Sequence, residues 1–256
     1  MTERTFVFIT GCPRSGTSAV HRLLNRHPEV AIGNERYSGQ TRRQELRPAL
    51  YEPDRFLAFE EGDTHHMGER WKRRDDRGVL ERFRGARIVG DKLPQLIGKT
   101  EQLAAFGRVK LVFLLREPFG VANSFDLRAA KKDRFWPETR DHKAAIRQFN
   151  KAMKTLKALE DEGVHELLVM PYEHLFVGQR GLRELFAFIG ADFDQVGEID
   201  DIFAQSDDRR AAGRGANLTA QFVSLRANFE GYRQAMAHAL ARLETEPALP
   251  DMRSTT

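Results

Sequence analysis

The sequence predicts an α/β fold: a mostly parallel central sheet with helices on both faces, in three layers. Three observations carry this reading. Short aliphatic or β-branched runs alternate with helical patterns along most of the chain, as repeated strand–helix–strand units require. The run Val109–Leu115 is nearly all aliphatic or aromatic, which suits a parallel strand covered on both faces. The first apolar run, Phe6–Thr10, passes through the small-residue loop Gly11-Cys-Pro-Arg-Ser-Gly16 straight into a helical pattern.

Phe6–Thr10 is expected as a buried strand. A helix follows over Ser18–Arg26, with Val20, Leu23 and Leu24 on one face. It ends near His27-Pro28, because the residue before a proline avoids the helical region. Val30–Ile32 reads as a short second strand. Residues 36–85 then change character, with many charges, scattered aromatics and few strong periodicities. They read as a variable acceptor-binding region or lid. Their densest charge, Glu69-Arg-Trp-Lys-Arg-Arg-Asp-Asp-Arg77, is either a solvated helix face or loop or a substrate-binding patch. Ala86–Val89 reads as a strand leading into Gly90-Asp-Lys-Leu-Pro94. Val109–Leu115 follows as the central strand, then a helix from about Phe119 to Lys132.

Asp141–Glu162 reads as a long helix, with Ile146, Phe149, Met153, Leu156 and Leu159 near helical spacing and Gly163 as its stop. Glu166–Met170 is a further strand, and Leu182–Ile189 a short helix ended by Gly190. Asn217 to about Leu243 reads as one final helix with Phe222, Leu225, Phe229, Met236, Leu240 and Leu243 inward. The tail at about 245–256 is polar and proline-containing and is expected to be flexible. No repeat or linker divides the chain, so residues 1–256 read as a single domain.

The 256 residues, 41% of them hydrophobic, suffice for one sizeable core. Charged residues make up 30% and the mean hydropathy is −0.53, so a soluble chain is expected. No apolar run approaches the roughly 20 residues of a membrane span. The apolar stretch near the N-terminus is too short for a signal peptide and lacks a cleavage site, which predicts a cytoplasmic location. A net charge of +4 suits an anionic ligand. No helix is a continuous basic stripe, so no nucleic-acid partner is expected. The single cysteine, Cys12, excludes an internal disulfide and a multi-cysteine zinc site. It reads as a small residue in a tight turn; a nucleophilic role needs a neighbouring His base. His65-His66 are adjacent and nothing nearby completes a metal site, so no metal is expected.

Gly11 and Gly16 have the spacing of a phosphate-cradling loop, G-x-x-x-x-G-K-[ST], but Thr17 stands where the lysine for the outer phosphates belongs. The amides of Pro13–Ser18 apart from the proline lie where a helix N-terminus favours an anion. Arg14 adds a positive charge there, and Thr17 and Ser18 add hydroxyls. This strand–loop–helix context predicts the three-layer fold of the P-loop NTPase-like proteins. An ATP or GTP enzyme also needs a metal-holding carboxylate at a strand end. Val109–Leu115 ends in Arg116 instead, which points to a second anionic group held by the protein itself.

At these residues the chain resembles the sulfotransferases that use 3′-phosphoadenosine-5′-phosphosulfate (PAPS). Their 5′-phosphosulfate loop reads x-x-Pro-(Lys/Arg)-Ser-Gly-Thr-(Thr/Ser), and this chain has Gly11-Cys-Pro-Arg-Ser-Gly-Thr-Ser18. Their 3′-phosphate site pairs an Arg at a strand end with a Ser eight residues on, as Arg116 and Ser124 are spaced. The likeness is strongest to tyrosylprotein sulfotransferases and their bacterial relatives, and runs from Thr5 to about Leu225. It implies that Glu35, after His27-Pro28, is the catalytic base and that Lys92 contacts the transferring group. It further implies that Arg128 contacts the 3′-phosphate, that Tyr172 lines the nucleotide site and that Arg214, with Ser206 a weaker candidate, closes over it. The likeness fails across residues 36–85, where acceptor recognition is expected.

The chemistry agrees with these roles. Sulfuryl transfer to a hydroxyl needs a base for the acceptor proton, cations for charge spreading over the transferring group, and donors for the leaving phosphate. Glu35 supplies the first, Lys92 and Arg14 the second, and Pro13, Arg14, Ser15, Gly16, Thr17 and Ser18 the third. A metal is not required. Each residue also has a plainer reading. Glu35 is a surface carboxylate, Lys92 caps a strand end or pairs with Asp91, and Arg116 pairs with Glu117 or a helix C-terminus. Ser124 bonds back to a helix carbonyl, Arg128 is solvated, and Tyr172 is a core-edge tyrosine. The expected function is a sulfotransferase moving a sulfuryl group from PAPS, with 3′-phosphoadenosine 5′-phosphate (PAP) as product. The acceptor is a hydroxyl of a small molecule, glycan or peptide. The rivals are a P-loop kinase or NTPase with an atypical loop, and a non-catalytic nucleotide-binding protein of the same fold.

Overall fold

The computed structural model describes residues 4–64, 77–131, 136–177, 179–211 and 217–243. Five strands form one sheet: β1 (Thr5–Gly11), β2 (Val30–Asn34), β3 (Ile88–Lys92), β4 (Lys110–Leu115) and β5 (Glu166–Pro171). Their order is β2-β3-β1-β4-β5, and every neighbouring pair is parallel. The C-terminal ends of all five therefore share one edge of the sheet, the edge where open α/β sheets bind ligands. Each strand falls on a predicted run. β3 extends beyond Val89 to Lys92, which puts that lysine on the strand end.

The helices are α1 (Thr17–Leu24), α2 (Ser38–Arg43), α3 (Pro53–Leu57), α4 (Arg77–Arg82), α5 (Pro118–Ala129) and α6 (His142–Glu162), followed by α7 (Tyr172–Phe176), α8 (Leu182–Ile189), α9 (Asp200–Ala211), α10 (Asn217–Arg226) and α11 (Phe229–Leu243). Strand alternation divides the core into two layers. Val7 and Ile9 of β1, with Val112 and Leu114 of β4, pack against Val20 and Leu23 of α1 and Phe186 of α8. Phe8, Leu111 and Phe113 face the other way, onto Phe125 of α5 and Phe149 and Leu156 of α6. That second layer includes Tyr37, Tyr51, Phe56 and Phe83 from the 36–85 region. Those four aromatics are thus core residues: Phe56 stacks on Phe83 at 3.6 Å between ring centroids.

The final helix is broken, which corrects the single-helix expectation. α10 stops at Arg226 and α11 begins at Phe229. Asn228 caps the second piece, its Oδ1 accepting from the Gly231 N–H at 3.0 Å. The break changes the helical phase, so Leu225 is 82% exposed while Val223, Ala235 and Ala239 are buried. α9 was not expected from the sequence. Its polar run carries little periodicity, and Ile202 and Phe203 anchor it. Arg214, His65-His66, most of the Glu69–Arg77 run and the tail lie outside the described residues, as does the side chain of Ser206. No helix among the described residues is long and apolar enough to cross a membrane.

Candidate active site

The loop between β1 and α1 is shaped by three left-handed residues: Gly11 at φ 136°, Arg14 at 74° and Gly16 at 92°. A Cβ on Gly11 would meet the Leu114 backbone of β4, and one on Gly16 would lie 2.8 Å from Cε2 of the Tyr172 ring. Only glycine fits either position. Arg14 is not glycine, so its conformation is strained, as binding-loop residues often are. Gly16 is the N-cap of α1 and no side chain caps this end. The first turn thus keeps N–H groups for an anion. Ser15 beneath the loop is 1% exposed, and its Oγ has no hydrogen-bond partner in the structure.

Arg14, Thr17, Ser18, Arg116, Ser124 and Tyr172 line one cavity together with Gly16. The Arg14 Nε donates to Ser124 Oγ at 3.0 Å. The Arg116 guanidinium donates to the Arg14 carbonyl at 3.1 Å and lies 4.5 Å from the Tyr172 ring centroid. Arg116 therefore does not pair with Glu117. That carboxylate caps α5 instead, accepting from the Phe119 N–H at 2.8 Å and from the Gly120 N–H. Burial raises the Glu117 pKa above its ordinary value. Pro13 is half-buried and Arg128 stands one helical turn beyond Ser124; neither lines the cavity. Arg22 does line it, with a guanidinium N–H on Gln205 Oε1 of α9 at 2.6 Å. Sequence reasoning missed it, although its place four residues after Ser18 puts both on one helix face.

The second half of the site lies at the ends of β2 and β3. Register pairs Asn34 with Lys92, so the next residue, Glu35, sits beside that lysine. The Lys92 Nζ donates to Glu35 Oε1 at 2.6 Å, and the side chains are 2% and 14% exposed. Gln95 Nε2 donates to Glu35 Oε2 at 2.8 Å. Glu35 is thus no surface carboxylate, and Lys92 does not pair with Asp91. Glu35, like Arg14, is left-handed, at φ 59°.

Asp91 points the other way and fixes the turn that carries Glu35. Its oxygens accept from the Arg36 N–H at 3.1 Å and the Tyr37 N–H at 2.8 Å. Burial raises its pKa to about 7, against the opposing pull of those two N–H groups. Arg36 is wholly buried and donates to Asp63 Oδ2 at 2.6 Å. The two halves of the site join through Thr10 at the end of β1, whose Oγ1 donates to the Leu93 carbonyl at 3.0 Å.

Cys12 is buried, and burial pushes its thiol well above the usual range. It stays protonated, as a small packing residue would. Burial also lowers His21, to about 3; the neutral ring bonds the Ile32 carbonyl at 2.8 Å. No cluster of three or more metal-ligating side chains occurs among the described residues.

Comparison with known proteins follows this geometry. The sequence matches the profile of the sulfotransferase family over residues 7–195. Among solved structures, the fold is similar to the sulfotransferase domain from the Synechococcus PCC 7002 olefin synthase. The TM-score is 0.55 at 19% identity, covering 93% of this chain and 96% of that one. It is also similar to the sulfotransferase domain from the curacin biosynthetic pathway, with a TM-score of 0.50 and 18% identity over 78% of this chain and 80% of the other. Comparison with curated proteins finds no match. The five-stranded parallel sheet with its flanking helices is the P-loop NTPase-like architecture of those domains. A profile match over most of the chain, on residues that include both halves of the site, makes this protein a member of the sulfotransferase family.

Proposed function

We propose that the protein transfers a sulfuryl group from PAPS to an acceptor hydroxyl, with Glu35 as the general base. The observation that carries this reading is the Glu35–Lys92 pair held at the strand edge beside a cavity lined by Arg14, Arg116 and Ser124. The lining of the cavity suits the two phosphate groups of a bisphosphorylated nucleotide. It offers a helix N-terminus for the 5′-phosphate, and Arg14, Arg116 and Ser124 for a second anion; Arg128, one helical turn beyond Ser124, and Arg214, outside the described residues, are the further contacts that the family resemblance implies. The buried Ser15 hydroxyl lacks a partner that a phosphate oxygen would supply.

In this scheme the acceptor oxygen forms a bond to sulfur as the bond from sulfur to the phosphate oxygen breaks. The acceptor proton passes to Glu35, and the electron pair leaves on PAP. Lys92 and Arg14 balance charge on the transferring oxygens, and the loop N–H groups hold the leaving phosphate. No step needs a metal. The acceptor is a hydroxyl of a small molecule, glycan or peptide, recognised within residues 36–85 of a single domain. The working location is the cytoplasm.

Glu35→Gln keeps the shape and loses the base. Its turnover with labelled PAPS and a panel of phenols, sugars and peptides should fall about 10²–10⁴-fold, while PAP affinity by calorimetry stays within about twofold, the carboxylate being outside the nucleotide cavity. A fully active Gln variant removes Glu35 from the mechanism. ATP binding tighter than PAP binding returns the protein to the kinase or NTPase reading.

A further inference from the structure

β3 ends at Lys92, and a short 3-10 turn, Pro94–Leu96, follows. From the middle of that turn Gln95 reaches back to the one Glu35 oxygen that Lys92 does not hold. A carboxylate only accepts hydrogen bonds, so the amide must present its NH₂ to Glu35. That orientation leaves the Gln95 Oε1 buried with no hydrogen-bond partner in the structure. A buried, unpaired carbonyl costs stability, and an apolar side chain of the same size would avoid the cost. The amide is therefore not explained by packing; the group it serves is Glu35.

We propose that Gln95 is a positioning residue for Glu35, a role that rests on Glu35 being the base. With Lys92 on one oxygen and Gln95 on the other, the carboxylate cannot turn about its terminal bond. Its plane is fixed toward the acceptor before the acceptor arrives. The amide is also the second donor that favours the ionised form, the form able to take a proton. Lys92 and Asp91 of β3 and Arg140 before α6 act on Glu35 as well, and His21 of α1 lies close enough to feel its charge while its ring stays neutral. All remain in a Gln95 variant, so a change there isolates the amide.

The test is a carboxyl ¹³C NMR titration of the full chain, with the Glu35 resonance assigned by its loss in E35Q. Gln95→Leu should raise the Glu35 midpoint by about one pH unit, a tenfold gain in proton affinity. Gln95→Lys, which keeps a donor and adds charge, should lower it. Thermal unfolding checks that each variant folds, and Gln95→Met replaces the Leu variant if that one does not. An unmoved midpoint in folded Leu or Met variants, or a rise in the Lys variant, overturns the proposal. The activity of E35Q is a separate readout: an active E35Q refutes the base assignment while leaving the titration result as it stands.

Discussion

Asp91 offers a test of how the turn bearing Glu35 is held. Its carboxyl is buried, and burial raises its pKa from about 4 to about 7. Between those values the unfolded chain has lost the proton and the folded chain has kept it. The native state then binds more protons, so stability falls as pH rises through this window. Treated as a single group, the cost is about 1.5 kcal/mol at pH 5 and about 4 kcal/mol at pH 8, from 1.36 kcal/mol per pKa unit. Asp91→Asn removes this dependence. It also removes an acceptor, because an amide takes only one of the Arg36 and Tyr37 N–H groups and meets the other with its own NH₂. The lost acceptor alone costs about 1–3 kcal/mol at any pH. The variant's deficit relative to wild type should therefore be largest at pH 5 and shrink by about 2–3 kcal/mol by pH 8. Urea denaturation of both proteins at pH 5, 6, 7 and 8 measures it. A deficit that is flat with pH, or that grows toward pH 8, refutes the reasoning.

Two further substitutions probe the loop and the region beyond Glu35. Gly16→Ala forces a Cβ into the Tyr172 ring at φ 92°. It should lower stability by about 1–3 kcal/mol and weaken PAP binding at least about tenfold; wild-type PAP affinity in calorimetry would detach this loop from the donor site. Asp63 is held down to about 2, because hydrogen bonds from Arg55 and Arg36 outweigh the upward push of burial. Its stabilisation is present above the ordinary carboxylate range and is lost as pH falls toward 2. Asp63→Asn removes the buried carboxylate to which both Arg36 and Arg55 donate and should cost about 3–5 kcal/mol at pH 7; a loss under about 1 kcal/mol would show that Asp63 does not hold this segment.

The cavity lined by Arg14, Arg116 and Ser124, the proposed donor half, was legible in the sequence because its chemistry is local. Gly11, Pro13 and Gly16 set the loop within six positions, and Arg116 and Ser124 are separated by a strand end and two helical turns. The proposed acceptor half needed information that spacing lacks. Glu35 and Lys92 meet only through the register of β2 on β3. Asp91 was the rival partner for Lys92, and alternation along a strand rules it out: neighbours face opposite sides. Gln95 sits in a 3-10 turn with no periodic pattern to mark it. The broken final helix was hidden for a different reason. Apolar residues on either side of Asn228 keep approximate helical spacing, so the pattern runs through the cap, and only the exposed Leu225 marks the change of phase.

Strand order gives the two halves their relation. β3 lies on one side of β1 and β4 on the other. The loop after β1 consequently has Lys92 and Glu35 at the neighbouring strand end on one flank, and Arg116 on the opposite flank. In-line transfer needs the attacking oxygen and the leaving phosphate on opposite sides of sulfur. The proposed base comes from the end of β2 beside β3, and Arg116 comes from the end of β4, so the groups assigned to attack and to departure flank the loop from opposite sides. Had β3 paired outside β2, Lys92 would stand a strand further from the loop. The insertion of β3 beside β1 is thus the topological step on which the proposed reaction depends, and the Thr10–Leu93 hydrogen bond ties the two strand ends together at that step.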